Sequence, residues 1–267
     1  MINEIRRSVK ERAPLIHCIT NPISITRCAD VILAAGARPM MAEHPKEAAV
    51  ITRTAGAVML NLGNFTDVRG ESMMISARTA RENGIPFVLD VCGSACLPSR
   101  RDYAAELIAS AVPSVIKGNY SEINALCDSG YSSVGVDADP ALGIPQTADA
   151  AVKLARRYGT VVLASGGTDI VTDGRRLIKV HNGTPQLSSI TGTGCMQGAL
   201  CAAYLSAGAA IDAAAAACAV LGICGQLAAT DKGSGTFAVN LTDALSTISD
   251  NDTDKYLDME ETALEQA

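Results

Sequence analysis

A chain of 267 residues, 48% hydrophobic and 19% charged, can bury a large core, and no linker-like stretch, charge block or repeat divides it. One domain over 1–267, with no lid domain, is expected. The net charge of −6, scattered Lys and Arg and the absence of Trp exclude a basic, base-stacking surface, so no nucleic-acid partner is expected. Nine cysteines without a C-x-x-C pair give neither a zinc set nor a disulfide framework. Reduced core thiols, and hence the cytoplasm, are the expectation.

Residues 3–12 read as a short helix stopping before Pro14, charged throughout and unlike a secretory leader. Residues 15–20 (LIHCIT) form a strand, and Asn21 with Pro22 supplies an N-cap and first-turn pair for a helix ending near Gly36. His17, inside the strand, reads as a satisfied core histidine. Residues 38–41 are short and extended, and Pro45 opens a helix through Thr54. Residues 57–62 (AVMLNL) are a buried strand, 71–83 a helix closed by Gly84, and 87–90 (FVLD) a strand entering the loop VCGSACLPSRR.

Residues 103–111 are helical, 114–117 (SVIK) a strand, and Gly118 and Asn119 turn into a helix carrying Glu122. Beyond a polar loop, 147–158 are helical and 161–164 (VVLA) a strand ending at Ser165, Gly166 and Gly167. Residues 170–172 and 176–180 flank Asp173-Gly174, a hairpin signal. A glycine turn, two alanine-rich helices and a helix at 241–248 follow. The apolar run 213–225 is shorter than the roughly 20 residues that span a bilayer and fits a buried helix. The acidic final dozen or so residues read as a helix or a frayed tail.

Short apolar strands alternating with helices predict an α/β fold: a mainly parallel central sheet with helices on both faces, a three-layer αβα arrangement. Ligands bind such sheets outside the carboxyl ends of the strands. Asn21, Asp90, Lys117, Asn119, Ser165 and the turn 192–195 all fall at or just beyond predicted strand ends or helix starts.

The turn lies in SSITGTGCMQGA, residues 188–199, where Gly192, Thr193 and Gly194 precede Cys195 and a run of good helix formers. Glycines there free backbone N–H groups, and the helix N-terminus adds partial positive charge, giving an anion site. The same field is expected to lower the Cys195 thiol pKa. Tight packing alone also explains such a turn. A dinucleotide fingerprint does not fit, because Gly198 arrives late, although Asp212 stands where that motif wants an acid.

Asp90 ends an apolar strand, where a carboxylate must be paired, metal-bound or used as a cap. Glu122, in a helix's first turn, favours the dipole and could pair with Asp90 around a hydrated Mg²⁺. Lys117 suits a phosphate. These are the parts of a phosphoryl-transfer site. No G-x-x-x-x-G-K-[ST] and no kinase glycine-rich loop is present.

Over nearly its whole length the chain resembles the hydroxyethylthiazole kinase family of the ribokinase-like superfamily. The matching stretches are ITN at 19–21, ARPMMAE around Met41, KGNYSEI at 117–123, TGTGC at 191–195 and TDKGSG at 230–235. TGTGC is the most specific, since ribokinase-like enzymes usually carry Asp where this chain has Cys195. The resemblance implies ATP-dependent phosphorylation of the hydroxyethyl group of 4-methyl-5-(2-hydroxyethyl)thiazole for thiamine salvage. It makes Cys195 the base and the amides of 192–195 the phosphoryl cradle. Met41, Gly194 and Asn21 become thiazole contacts, Lys117, Ser165, Asn119, Gly192 and Thr193 nucleotide contacts, and Asp90 and Glu122 the Mg²⁺ region. It further implies a homotrimer with shared active sites, Asn21 and Met41 serving a neighbour's Cys195, and no membrane partner.

Where the family has Arg before Gly-Asn this chain has Lys117, and the family's D-P-V-G-A is replaced at 90–94 by DVCGS. Three rival functions are a related kinase of another small alcohol such as hydroxymethylpyrimidine, a thiol hydrolase built on Cys195, and a non-catalytic binding module. The hydrolase needs a partnered His, and His17, His44 and His181 lie in no motif.

Overall fold

The computed structural model describes residues 1–128, 130–133 and 142–265. The polar loop expected before residue 147 lies largely outside them. Strands β1 (Leu15–Ile19), β2 (Arg38–Met40), β3 (Ala57–Asn61), β4 (Phe87–Asp90), β5 (Val115–Asn119) and β6 (Val161–Ser165) are followed by β7 (Asp169–Thr172), β8 (Arg176–Val180) and β9 (Met259–Ala263). They form one 9-stranded sheet in the order β2-β1-β3-β4-β5-β6-β7-β8-β9. Pairings from β2 to β6 are parallel, and those from β6 to β9 antiparallel.

The central strands are apolar on both sides because helices cover both. Successive residues of one strand point to opposite faces, and the two cores divide them accordingly. Met59, Val88 and Val115 face the core built with α2 (Ile25–Ala34), α8 (Thr193–Leu205), α9 (Ala210–Ala228) and α10 (Ser234–Thr247). Leu60, Leu89 and Ile116 face the core built with α4 (Asp67–Glu82), α5 (Pro98–Ser110), α6 (Tyr120–Cys127) and α7 (Ile144–Tyr158). This is the expected three-layer arrangement. Helix α1 (Ile2–Arg12) adds to the first core, and α3 (Pro45–Thr54) sets out from the expected Pro45.

The apolar run at 213–225 sits inside α9, whose length and composition alone would pass for a membrane span, but 78% of its apolar window is buried in the protein. Its small side chains allow close approach: a Cβ on Gly222 would stand 2.5 Å from the Asn182 carbonyl oxygen. His17 is the expected core histidine, with Nδ1 2.9 Å from Thr52 Oγ1 and Nε2 2.9 Å from the Ala42 carbonyl.

Three expectations are corrected. Asn21 and Pro22 do not start α2, which begins at Ile25 after Ser24. Asn21 Oδ1 instead accepts the Ile23 and Ser24 N–H groups in a turn, leaving its amide nitrogen free to point elsewhere. Helices α4 and α5 begin earlier than their apolar periodicity shows, because Thr66 caps the first and Pro98 opens the second. The acidic C-terminus is neither all helix nor a frayed tail. After the short α11 (Asp250–Tyr256) it becomes β9, whose edge pairing with β8 is reinforced by Arg176–Glu261 at 2.7 Å and Lys179–Glu260 at 3.5 Å. Such an edge needs no apolar alternation, so the sequence pattern is silent there.

At the amino ends of β4 and β6 the chain turns on Gly84 and Gly159, both left-handed (φ 64° and 63°) with open space where a side chain would go. These turns lie opposite the carboxyl ends where the polar residues gather.

Candidate active site

Strand register builds the floor of the site. Asn61 is the partner of Asp90, Asp90 of Lys117, and Asn119 of Ser165. Three polar side chains thus stand in a row at the carboxyl ends of β3, β4 and β5. Helix α8 points its N-terminus at the same region: Gly192, with φ 95°, precedes it, and no side chain caps it. The first-turn N–H groups therefore lack both an intrahelical acceptor and a capping oxygen, which makes them an anion-binding end. A cavity of about 1030 Å³ joins row and helix end. Asn21, Asp90, Lys117, Glu122 and Cys195 line it, as do Asn119, Ser165 and the turn from Gly192 to Gly194.

The structure therefore brings together every residue the sequence singled out except one. Met41 follows β2 at the sheet edge, packs half-buried against the first core and does not line this cavity.

Lys117 Nζ lies 3.2 Å from Asp90 Oδ2, with both side chains almost fully buried (5% and 1% exposed). The ammonium also sits under α8, since a Cβ on Gly194 would be 3.3 Å from it. Burial works against the Lys117 charge, but Asp90 and then Glu122 outweigh it and raise its pKa. Burial likewise pushes Asp90 up, against the pull of Lys117.

Glu122 completes a capping box. Its Oε2 accepts the Asn119 N–H at 2.7 Å and its Oε1 the Gly93 N–H at 2.7 Å, while Asn119 Oδ1 accepts the Glu122 N–H at 2.9 Å. Burial first, and Asp90 next, push Glu122 up to about 7. Ser165 Oγ donates to the Gly118 carbonyl, and Thr193 Oγ1 to that of Leu187.

Cys195 occupies the first turn of α8, where Asn21 Nδ2 and Asn61 Nδ2 donate to its Sγ at 3.4 and 3.5 Å. One expectation attached to it changes. Its pKa is not lowered: burial, then the Asp90 charge, push it up to about 11, against the pull of Lys117. Asn21 reaches the Cys195 of its own chain. The thiol's partners are the Asn21 and Asn61 amides and the Ser24 hydroxyl, not an imidazole, which removes the basis for the hydrolase.

Three cavity residues, Arg100, Asp169 and Gln197, and one that touches Cys195 from below, Asn61, escaped the sequence reasoning. Asn61 was legible as the lone amide at the end of the apolar run AVMLNL. Arg100 was hidden in the loop after β4. Asp169 and Gln197 meet only in three dimensions, where Gln197 Nε2 donates to Asp169 Oδ2 at 2.6 Å and the Gly166 N–H to Asp169 Oδ1 at 3.0 Å. Gln197 Oε1 is buried with no hydrogen-bond partner among the described residues.

Burial lifts Asp169 to about 6 from an ordinary 3.8. A raised carboxyl favours the folded state most when protonated, so its contribution is lost as pH rises from about 4 through about 6, by roughly 3 kcal/mol. Asp169→Asn should remove that slope. An amide there still accepts from Gly166 and, with Gln197 flipped, donates to the orphan Oε1. Urea unfolding at pH 5 and pH 8 checks this, and an unchanged slope in the variant would refute it.

For Mg²⁺ the donor chemistry fits. Asp90 Oδ1 is a buried hard oxygen with no hydrogen-bond partner among the described residues, and Glu122 is a second carboxylate, though each of its oxygens already accepts one N–H. Among the described residues no group of three His, Cys, Asp or Glu side chains forms a cage. A magnesium ion held by one or two carboxylates, water and phosphate oxygens needs none.

Comparison with known proteins bears on the family and the fold. The chain is 45% identical over 253 residues to hydroxyethylthiazole kinase 2 of Clostridium botulinum (strain Hall), covering 93% of this chain and 96% of that relative. A solved hydroxyethylthiazole kinase protein from Pyrococcus horikoshii OT3 matches with a TM-score of 0.90 and 33% identity over 98% of each chain. A ribokinase-like superfamily protein from Enterococcus faecalis, at 12% identity, TM-score 0.68 and coverage of 96% and 95%, shares the fold alone. The model of the hydroxyethylthiazole kinase family matches residues 6–251. The chain belongs to the hydroxyethylthiazole kinase family.

Proposed function

We propose that this chain transfers the γ-phosphoryl group of ATP to the hydroxyethyl oxygen of 4-methyl-5-(2-hydroxyethyl)thiazole, giving the thiazole phosphate used in thiamine salvage. The observation that carries the mechanism is the meeting, in one cavity, of an uncapped helix N-terminus, a buried lysine and a thiol in that helix's first turn. The alcohol oxygen attacks the γ-phosphorus, the bond to the β,γ-bridging oxygen breaks and ADP leaves. Amides of Gly192 to Cys195 receive the charge on the transferring group, and Lys117 adds a point charge beneath them.

Cys195 Sγ takes the alcohol proton. With a pKa of about 11 it rests as a thiol, so the small thiolate fraction does the work. A loose transition state tolerates this, because the proton need leave only late. Asn21 and Asn61 orient the sulfur and donate to the anion when it forms. Asp90 and Glu122 would hold Mg²⁺, which when bound neutralises phosphate oxygens. Asn119 and Ser165, paired across β5 and β6, face the nucleotide.

Met41, outside its own chain's cavity, fits a homotrimer in which it lines a neighbour's thiazole site. All nine cysteines are free thiols, which suits a cytoplasmic enzyme without membrane or nucleic-acid partners. The test is ATP consumption with Mg²⁺, with hydroxyethylthiazole and with hydroxymethylpyrimidine as a control alcohol. Turnover on the thiazole supports the proposal. Turnover on the pyrimidine alone moves the substrate, and turnover on neither overturns the kinase.

A further inference from the structure

The cavity is short of available positive charge. Arg100 and Lys117 are the lysine and arginine side chains that line it, against Asp90, Glu122 and Asp169. Lys117 is already committed to Asp90. Arg100, in the first turn of α5, has no carboxylate within ion-pair distance among the described residues. Its Nη1 donates to the Cys92 carbonyl at 3.2 Å.

The loop after β4 makes room for this guanidinium. Gly93 adopts φ 82°, a region L side chains rarely enter, and a Cβ there would run into Arg100 Nη1. The same glycine's N–H is held by Glu122 Oε1 at 2.7 Å. One residue thus seats the arginine and ties its loop to the carboxylate at the start of α6. A half-buried cation that lines the cavity without a counter-ion among the described residues points to an anionic ligand.

We propose that Arg100 contacts the polyphosphate of the bound nucleotide. This rests on the reading that the cavity takes a nucleoside triphosphate. The guanidinium fork binds phosphate oxygens bidentately, which the Lys117 ammonium cannot do. It also supplies charge from the wall formed by the β4–α5 loop, while α8 and Lys117 supply it from theirs.

Arg100→Gln and Arg100→Lys should be titrated with inorganic tripolyphosphate, ATP and adenosine by calorimetry, alongside kcat and KM. The expected result for Arg100→Gln is an affinity loss of about 10- to 100-fold for tripolyphosphate and ATP. Adenosine affinity and the KM for the alcohol should stay unchanged, and Arg100→Lys should recover part of the loss. Unaltered tripolyphosphate and ATP affinity overturns the proposal. So does an equal loss for adenosine, which would mean that Arg100 only props the loop through Cys92. A wild-type protein that binds tripolyphosphate but phosphorylates neither alcohol refutes the kinase while leaving the arginine comparison intact. A wild-type protein that does not bind tripolyphosphate overturns both.

Discussion

Cys195→Ala lowers kcat by about 10²- to 10⁴-fold, the range general-base catalysis supplies, while ATP affinity stays near the wild-type value. The nucleotide contacts assigned to α8 come from backbone amides, which alanine keeps. Cys195→Asp retains turnover, because a carboxylate at the same place accepts the alcohol proton. The pH profiles separate the two groups. Wild-type kcat/KM should climb roughly tenfold per pH unit between about pH 6 and pH 9, since the base is the thiolate of a group near 11. With a carboxylate in place of the thiol the climb moves to lower pH. Steady-state kinetics across that range decide it, and full activity in the alanine variant would leave the backbone amides and Lys117 as the catalytic device.

Lys117→Met destabilises the fold by about 3–5 kcal/mol at neutral pH, because it strands the buried Asp90 carboxylate. For a chain of this size that corresponds to a melting temperature roughly 6–20 °C lower. The deficit has a sign in pH. Without its partner Asp90 is raised further, so the variant approaches wild-type stability in acid, where the carboxyl is protonated, and falls away as pH rises through that raised value. Asp90→Leu in the same chain removes the stranded charge and restores most of the stability but no turnover. Urea unfolding at pH 5 and pH 8 tests both statements. A single variant as stable as the wild type at pH 8 would show that the pair is not the buried ion pair its 3.2 Å separation indicates.

Most of the sheet was legible because its strands are short apolar runs separated by helical periodicity. The parallel order then placed Asn21, Asp90, Lys117, Asn119 and Ser165 at one end without further information. What stayed hidden depends on contacts across the chain. Glycine and helix-end chemistry at 192–195 suggested an acidified thiol, but the opposite shift comes from burial and from Asp90, distant in sequence and adjacent in space. The Asp169–Gln197 pair joins a β7 carboxylate to an α8 amide that no local pattern links. Arg100 read as one more charge in the loop after the FVLD strand, and only the fold brings it to the wall of the cavity. Strand β9 is polar at an edge, where alternation is not required.

The row from Asn61 through Asp90 to Lys117 holds only while β3, β4 and β5 keep their register. A one-residue insertion within any of them sends every later side chain of that strand to the opposite face. The turns at Gly84 and Gly159 carry no such constraint, being open to solvent at the far ends of β4 and β6. The molecule is thus polarised into an end that fixes chain length and an end that tolerates its variation. An affinity tag or a grafted peptide belongs beside Gly84 or Gly159, inserted so that the left-handed glycine itself is kept, where it is not felt by the phosphate-handling side.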